Sequence, residues 1–342
     1  MRRLCAIWGV MSSRMLELAG DPCSEKVALR DAFGEALLTL GKENPRVVAL
    51  TADLAESLRM VKFEEAFPER FLDVGVAEEN LAGVAAGLAL GGFIPFAGSF
   101  GCFLTRAFDH VRVSICQNNL SVILVGSHGG VSNAADGASA HALEDLAMMR
   151  TLPNMTVVAP GDANEMRQAV RAVASCEGPV YLRLYREPTP VFSDPQRSFV
   201  IGKATIERQG RDVTVVACGP QVATALAAAE ELWGTVDVEV VNSSTVKPID
   251  VETIVASAKK TGRVITLEDH SVHGGLGSAV AEVLGEHHPV PVTRLGLRTF
   301  GESGAYAAVT RHVGIDAGAL VVALRQAHPS TPSSGSREGH PE

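Results

Sequence analysis

Short runs rich in Val, Ile and Leu alternate with longer helical stretches along most of this chain. Such alternation is typical of parallel strands joined by crossover helices, and it predicts an α/β fold. In the first half of the chain, helices are predicted over Lys26–Leu40 and Glu78–Leu90. The strands predicted there are Val47–Thr51, Phe71–Val74, Ile94–Ala97, Val122–Val125, Thr156–Ala159 and Val180–Leu184.

A polar, proline-containing stretch, Pro188–Arg197, indicates a boundary, after which the alternation resumes. We therefore predict two domains, residues 25–192 and 200–327, each a mainly parallel sheet with helices on both faces, joined by a linker at 193–199. Residues 1–24 are predicted to be a poorly ordered leader, and residues 328–342 a disordered tail. The second domain is predicted to contain strands Val213–Ala217, Val238–Val241, Val264–Leu267 and Val292–Leu297 and helices Gln221–Leu232, Val251–Lys259, Leu276–Leu284 and Ala317–Ala327.

Composition excludes several classes of function. The 342-residue chain has a net charge of −9 and no basic cluster, so nucleic acid is not an expected partner. Its six cysteines show no metal-ligand spacing and are predicted to be reduced thiols of a cytoplasmic protein. No uncharged apolar stretch approaches the roughly 20 residues needed to cross a membrane, and the short apolar run after Met1-Arg2-Arg3 lacks a signal-peptide cleavage pattern.

Polar residues cluster where the predicted strands of the first domain end. Because the carboxyl ends of parallel strands meet at one edge of a sheet, and open α/β sheets bind ligands there, this edge is the predicted site. A hydrophilic sheet edge without any function would show similar clustering. The clusters are Asp53, Ser57, Gly75–Glu78, Ser99–Arg106, His128–His141 and Arg183–Arg186.

The segment Gly75–Asn80, which opens a helix of small residues, closely resembles the Gly-x-x-Glu segment of transketolases and deoxyxylulose-phosphate synthases. Other segments resemble the same family in the family's order, and the region after Phe199 resembles its C-terminal domain. The resemblance implies the pyrimidine-binding and C-terminal half of a thiamine-diphosphate-dependent transketolase, which transfers a two-carbon ketol unit from a ketose phosphate to an aldose. The other segments are Leu29–Phe33, Thr51–Leu54, Ser99–Arg106, His128 with Asp136-Gly137, and Leu184–Arg186.

The resemblance also implies roles toward the cofactor. The carboxyl of Glu78 would bond to the pyrimidine ring nitrogen and so assist deprotonation of the thiazolium carbon, which needs a dry, apolar setting. Phe100 and Phe103 would face the aminopyrimidine ring. Asp53 resembles the acid near the thiazolium. Arg106 stands where transketolases often carry Tyr and deoxyxylulose-phosphate synthases carry Arg; it is predicted to bind substrate, and this departure leaves the acceptor preference open.

A phosphorylated substrate is implied by four further matches, because guanidinium groups grip phosphate through two donors. Arg30, Ser57, His128 and Arg186 match the substrate channel, with His128 also counted as catalytic; Arg183 either joins them or pairs with a carboxylate. Asp136 matches the acid that binds a substrate hydroxyl. The sequence departs from the family next to it: Ala140 stands at the position of the donor-binding histidine, so either His141 takes this role or the donor end has changed.

The chain lacks the Gly-Asp-Gly segment with which this family holds Mg²⁺ and the diphosphate. We predict no metal ligands here and expect them from an N-terminal partner subunit in an α2β2 assembly. The glycine-rich segment Asp269–Gly277 could meet an anion, but ordinary turn chemistry is favoured. The alternative functions are a 2-oxoacid dehydrogenase β-like subunit acting on a lipoyl or carrier thiol, and a non-catalytic regulatory subunit.

Overall fold

The computed structural model describes residues 25–328, so the predicted leader and all but the first residue of the predicted tail lie outside the described residues. The helices are α1 (Leu29–Glu43), α2 (Val61–Ala66), α3 (Glu78–Leu90), α4 (Gly101–Leu104), α5 (Phe108–His110), α6 (Asp145–Thr151), α7 (Ala163–Ala174), α8 (Gln221–Glu231), α9 (Val251–Thr261), α10 (Leu276–His287), α11 (Tyr306–His312) and α12 (Ala317–Ala327). The strands are β1 (Lys26–Ala28), β2 (Val47–Thr51), β3 (Phe71–Asp73), β4 (Ile94–Phe100), β5 (Ile123–Ser127), β6 (Thr156–Val158), β7 (Val180–Arg183), β8 (Pro188–Pro190), β9 (Thr205–Arg208), β10 (Val213–Ala217), β11 (Val238–Asn242), β12 (Thr245–Lys247), β13 (Val264–Ser271) and β14 (Val292–Leu297).

The first domain is built on a seven-stranded sheet of order β12-β6-β7-β5-β4-β2-β3. All neighbouring strands in it run parallel except β12, which is antiparallel to β6. Helices α1 and α7 bury apolar side chains such as Phe33 and Met166 in one core, and α3 buries Leu81 in another. This agrees with the predicted α/β class, in which helices cover both faces of a mainly parallel sheet.

Two pairings of short strands depart from the sequence prediction. The helix predicted from Lys26 begins only at Leu29, because Lys26–Ala28 pairs antiparallel with Pro188–Pro190. Strand β12 lies within the predicted second domain, yet it extends the sheet of the first domain by pairing with β6. Both pairings join residues that are distant in the sequence, so local patterns carried no signal for them.

The second domain is a five-stranded sheet of order β14-β13-β10-β11-β9, parallel except for β9. The segment Tyr306–Ala327 is, by length and composition alone, long and apolar enough to cross a membrane. In the structure it is two helices, α11 and α12, and Leu320 and Leu324 are buried against this sheet's core. Such packing is typical of core helices of soluble domains.

Candidate active site

Most of the predicted site residues lie along one edge of the seven-stranded sheet. Strands β2, β3, β4, β5 and β7 run parallel, so their carboxyl ends meet at this edge, which we call the carboxyl edge. Arg30, at the start of α1, joins the edge because its backbone N–H donates to the carbonyl of Tyr185 (3.3 Å). The other residues carried there are Asp53 after β2, Glu78 after β3, Phe100 at the end of β4, His128 after β5 and Arg186 after β7.

Glu78 is a buried acid at the first position of α3, the end of the helix where the peptide dipoles favour negative charge. Its side chain is 5% exposed, whereas that of its partner Arg106 is 57% exposed. Arg106 Nη1 donates to Glu78 Oε1 at 3.2 Å. The resemblance implied a dry, apolar setting for this acid. Helix α3 does bury Leu81 and Ala82 behind it, but the Arg106 guanidinium lies beside it, so the setting is not purely apolar.

Aromatic rings form a continuous stack next to this acid. The Phe100 and Phe103 centroids are 5.2 Å apart with an interplanar angle of 17°. The His128 ring stacks on Phe100 with a centroid separation of 3.8 Å. Arg106 lies over Phe103, with Cζ 5.1 Å from the ring centroid. A further planar ring bound here would extend an aromatic surface that already exists.

Asp53 is held by a residue that the sequence reasoning missed. Asp73 Oδ1 accepts hydrogen bonds from the backbone N–H groups of both Asp53 and Gly75, each at 2.9 Å. Asp53 is exposed and has a positive φ of 60°, which is uncommon for a residue other than glycine. Asp73 thus joins the loop after β2 to the loop that leads into Glu78. An acid at the end of a strand, two residues before a glycine, was the available signal.

Three arginines act electrostatically on His128. Burial, followed by the charges of Arg30, Arg186 and Arg59, lowers the His128 pKa to about 3, so the ring is neutral at physiological pH. Burial and the charge of Arg59 also lower the pKa of Arg30. The fold brings these arginines together, because the Arg30 backbone hydrogen-bonds to Tyr185, next to Arg186, and its side chain hydrogen-bonds to Ser57, two residues before Arg59. Arg59 Nε is 2.6 Å from Oδ1 of Asp31, which offsets part of this charge.

Arg59 is another site residue that was not predicted. It lies between Leu58 and Met60, both fully buried, and its φ is 60°. In the sequence, the apolar–polar–apolar pattern directly after Ser57 was a signal that this arginine faces away from the core. The Ser57 carbonyl accepts a hydrogen bond from Arg30 Nη1 (3.2 Å), and Arg30 Nε is buried without a hydrogen-bond partner among residues 25–328.

The segment after β5 brings Asp136 to Arg186. We call residues 128–142 the His128 loop. Arg186 Nη1 lies 3.6 Å from Asp136 Oδ2, and it also donates to Oδ1 of Asn133, which is fully buried. His128 Nδ1 is 2.9 Å from Ser127 Oγ. The loop therefore supplies a neutral imidazole, a carboxylate and an amide next to the arginines.

His141 lies beside this group, close enough to Asn133 and Asp136 for both to affect its pKa, and its ring faces the C-terminal domain. Its ring is buried, and a side chain at Gly301 would come within 2.8 Å of its Nδ1, which places the ring against a loop of the C-terminal domain. Neither ring nitrogen has a hydrogen-bond partner in the part of the chain that the structure describes. Burial lowers the pKa of His141. That His141 takes the role of the donor-binding histidine therefore stays a prediction, as does the alternative of a changed donor end.

The glycine-rich turn of the C-terminal domain is filled by the chain itself. Glu268 accepts hydrogen bonds from the backbone N–H groups of Leu276 (2.7 Å) and Gly277 (2.8 Å) at the start of α10. Burial raises the Glu268 pKa to about 7. Because an internal carboxylate occupies these donors, ordinary turn chemistry accounts for Asp269–Gly277. Arg183 likewise pairs internally, with Asp145 at 2.7 Å.

Within residues 25–328, no group of three or more His, Cys, Asp or Glu side chains is arranged to hold a metal ion. The groups that are present suit one end of a planar, nitrogen-containing cofactor: a buried carboxyl at Glu78 and a ring stack at Phe100 and Phe103.

Comparison with known proteins places both domains. Residues 25–191 match the transketolase pyrimidine-binding domain, and residues 202–320 match the transketolase C-terminal domain. The 6-deoxy-6-sulfo-D-fructose transketolase subunit SqwH of Clostridium sp. is 44% identical over 306 residues, which cover 89% of this chain and 94% of that protein. A putative transketolase C-terminal section of Methanocaldococcus jannaschii is 40% identical over 294 residues, covering 84% and 92%. A solved split-gene transketolase, described as an inactive β4 tetramer, is 46% identical with a TM-score of 0.83, covering 88% of this chain and 98% of that one.

The two domain matches and the split relatives define the class: a chain with the pyrimidine-binding and C-terminal domains of a transketolase. The chain belongs to the transketolase family, and it is a subunit of a thiamine-diphosphate-dependent transketolase. The predicted family, fold class and transferase function are thereby confirmed. The relatives named above are described as transketolases or as parts of one, which favours ketol transfer over the lipoyl-linked and regulatory alternatives.

Proposed function

We propose that this subunit, joined to an N-terminal partner subunit, transfers a two-carbon ketol unit from a ketose with a terminal phosphate to an aldose acceptor. The observation that carries the substrate class is the grouping of Arg30 with Arg186 and Arg59. The Arg30 backbone hydrogen-bonds to Tyr185, the residue before Arg186, and its Nη1 hydrogen-bonds to Ser57, two residues before Arg59. Besides burial, all three charges lower the pKa of His128. In a chain with a net charge of −9, such a local concentration of guanidinium groups is a binding site for an anion.

One end of the carboxyl edge, with Glu78 and Phe103, would bind the cofactor, and the other end, with the arginines, would bind the substrate. When bound, thiamine diphosphate supplies a thiazolium carbon that becomes a carbanion and then an electron sink. Glu78 would hold a proton at its carboxyl, shared with the pyrimidine ring nitrogen, once Arg106 has moved off Oε1. Phe103 and Phe100 would orient the ring by stacking. Asp53 would lie on the side of the thiazolium.

The substrate end would bind and orient the sugar. The arginines, with Ser57, would hold the terminal anion, and Asp136 would accept a hydrogen bond from a sugar hydroxyl. His128 is uncharged, because burial lowers its pKa to about 3, so it would exchange hydrogen bonds with the sugar without adding positive charge. His128 would thus bind the oxygen at which charge develops while the arginines hold the distant end of the molecule.

The diphosphate and its Mg²⁺ would be held by the partner subunit, since oxygen-rich metal sites need several carboxylate or carbonyl ligands. Solved and curated relatives that are split in the same way support this division. We propose an α2β2 hetero-oligomer in the cytoplasm, with the cofactor between the subunits and the substrate reaching it along the carboxyl edge.

A sulfonated ketose is a second candidate donor. The relative SqwH is named for 6-deoxy-6-sulfo-D-fructose, and a sulfonate shares the tetrahedral oxygen geometry that arginines recognise in phosphate. Ala140, at the position of the donor-binding histidine, is a difference at the end of the site that would contact the donor.

The test is ketol transfer by this chain with thiamine diphosphate and Mg²⁺, with and without a co-expressed N-terminal transketolase subunit from the same organism. Xylulose 5-phosphate and 6-deoxy-6-sulfofructose are offered as donors in separate reactions, and the products are identified by mass. We expect transfer only in the mixture, and the preferred donor identifies the anion. Transfer by the chain alone would contradict the divided site, and a mixture that binds cofactor but transfers from neither donor would contradict the proposal.

A further inference from the structure

The His128 loop starts with backbone conformations that need support from outside the loop. His128 has a positive φ of 58°, and Gly130 has one of 59°. A histidine in this region is strained and keeps this conformation only where its surroundings fix it, and such strain is concentrated at functional sites. The loop closes on itself through Gly130 N–H to the Ala142 carbonyl (2.9 Å) and Ala142 N–H to the Gly130 carbonyl (3.1 Å). What holds this closure in place decides where His128 lies.

Asp269, on β13 of the C-terminal domain, contacts the start of the loop. Its Oδ1 accepts a hydrogen bond from the Val131 N–H at 2.9 Å, across 138 positions of sequence. A Cβ at Gly130 would lie 2.1 Å from the Asp269 carboxyl carbon, so only glycine fits against it. Asp269 is 1% exposed, and its Oδ2 has no hydrogen-bond partner among the described residues. The carboxylate therefore contacts two consecutive residues of the loop, three positions or fewer after His128.

Arg183, at the end of β7, joins Asp269 to both ends of the loop. It is fully buried, its Nη1 donates to the Asp269 carbonyl (2.9 Å), and its Nη2 donates to the Ala142 carbonyl (2.8 Å). A Cβ at Gly129 would come within 2.6 Å of Arg183 Nε. Its bidentate pair with Asp145, with both distances 2.7 Å, fixes the guanidinium plane.

We infer that Asp269 is a positioning residue for ketol transfer: acting from the C-terminal domain, it fixes the start of the His128 loop and so places His128 and Asp136 at the carboxyl edge. Its neighbour Glu268 is equally buried but contacts the start of α10, since successive side chains of a strand face opposite ways. The inference rests on the proposed function for its kinetic consequence. Its structural part, the restraint of the loop, stands independently.

The first test is amide hydrogen exchange across residues 128–142 of the full chain. Asp269→Ala removes the acceptor for Val131, and we expect exchange there to rise about tenfold or more, as the loss of one buried hydrogen bond implies. Asp269→Asn keeps an acceptor oxygen and should preserve the protection. Glu268→Gln is the matched control, an equally buried acid on the same strand, and should leave exchange in the loop unchanged.

The second test is kinetic and uses the assembled enzyme. Asp269→Ala should lower kcat/KM for ketol transfer about tenfold or more, with KM raised as well as kcat lowered. A loss of folded molecules would lower kcat alone. In a His128→Ala background the further effect of Asp269→Ala should largely disappear, because the two residues act through one loop. Asp269→Asn should retain most of the activity.

Two results would overturn the inference: unchanged exchange over residues 128–142 in Asp269→Ala, or an equal increase in Glu268→Gln. If Asp269→Ala does not fold, Gly130→Ala forces the same contact apart from the side of the loop, and it should produce the same increase in exchange. If the wild-type assembly transfers no ketol unit, the proposed function has failed, yet the exchange result still decides whether Asp269 restrains the loop.

Discussion

Both domains contain a strand-to-helix turn with a buried glutamate, but the two glutamates have different hydrogen-bond partners. In the first domain, Glu78 is the buried acid at the start of α3. Its partner Arg106 belongs to a different segment and is largely exposed. At the start of α10, in the C-terminal domain, Glu268 folds back onto the backbone donors of its own turn. In our proposal the carboxyl of the first turn serves the chemistry, whereas the carboxyl at the second turn stabilises the fold. Function therefore depends on whether the polar groups of a turn are satisfied internally, and not on the fold that carries them.

The largest effect that would sharpen this comparison is expected for Glu78→Gln. The substitution removes a shareable proton and almost no volume, so turnover should fall by about 100-fold or more. The measurement is kcat of the assembled enzyme, with assembly checked by size-exclusion chromatography. Glu79→Gln, an exposed neighbour on the same helix, is the control and should retain full turnover. Undiminished turnover in Glu78→Gln would remove the acid from the mechanism.

A smaller effect is expected at the substrate end of the carboxyl edge. Arg186→Ala removes a charge-assisted contact worth about 1.5–3 kcal/mol, so KM for phosphorylated donors should rise roughly tenfold or more. KM for the corresponding unphosphorylated sugars should change little. Arg167→Ala, which removes an arginine paired with Glu35 at 3.0 Å on helix α7, is the control. An equal rise for both kinds of sugar would show that Arg186 does not read the anion.

The C-terminal turn should respond in stability and not in turnover. Glu268→Gln leaves one of two backbone N–H groups facing an amide donor, and it should lower the free energy of unfolding by about 1–3 kcal/mol. Chemical denaturation measures this loss, and kcat of the assembled enzyme should remain unchanged. Glu282→Gln, an exposed acid paired with Arg150, should cost less than about 1 kcal/mol. A fall in kcat with unchanged stability would mean that this turn does take part in the reaction.

The smallest effect concerns pH. Burial raises the pKa of Asp269 to about 6, well above its usual value, so the folded state holds this proton more tightly than the unfolded chain does. Its contribution to stability is present at low pH and is lost as pH rises from about 4 to about 6. The neutral His128 and His270 act in the opposite direction, because burial lowers the pKa of each.

The difference between wild type and Asp269→Asn isolates the aspartate from those histidines. Melting temperatures measured between pH 4.5 and 7.5 should therefore shift in favour of the variant as pH rises. A difference between the two proteins that is independent of pH would contradict the raised pKa.

Much of the architecture followed from sequence because its signals are local. Val47–Thr51 and Val213–Ala217 are strands with the predicted bounds, since each is a β-branched run whose residues are all buried. Glu78–Leu90 begins and ends as predicted. Strands β1 and β12 were missed because each is only three residues long and pairs with a strand that is distant in the chain.

The site was predicted as far as a family pattern extends. The roles assigned to Glu78, Phe100 and Arg186 rest on resemblance and stay predictions, although the structure brings these residues to one edge. Arg59 and Asp269 were missed because their importance comes from partners that no local pattern reveals. Asp269 meets Val131 only after the two domains have packed together. Arg59 becomes part of a cluster only when three loops converge on His128.

Strand β12 makes the first domain depend on residues of the second, so the two domains should be inherited together. It lies after the linker, yet it covers the outer side of β6 in the sheet of the first domain. A gene fragment that ended at residue 199 would therefore encode a sheet with an uncovered edge, which is a template for pairing with other chains. Recombination that replaced one domain alone would also have to preserve the pairing of the three-residue strand β12 with β6. We expect that viable divisions of such a gene lie outside residues 26–247, where no shared strand is cut.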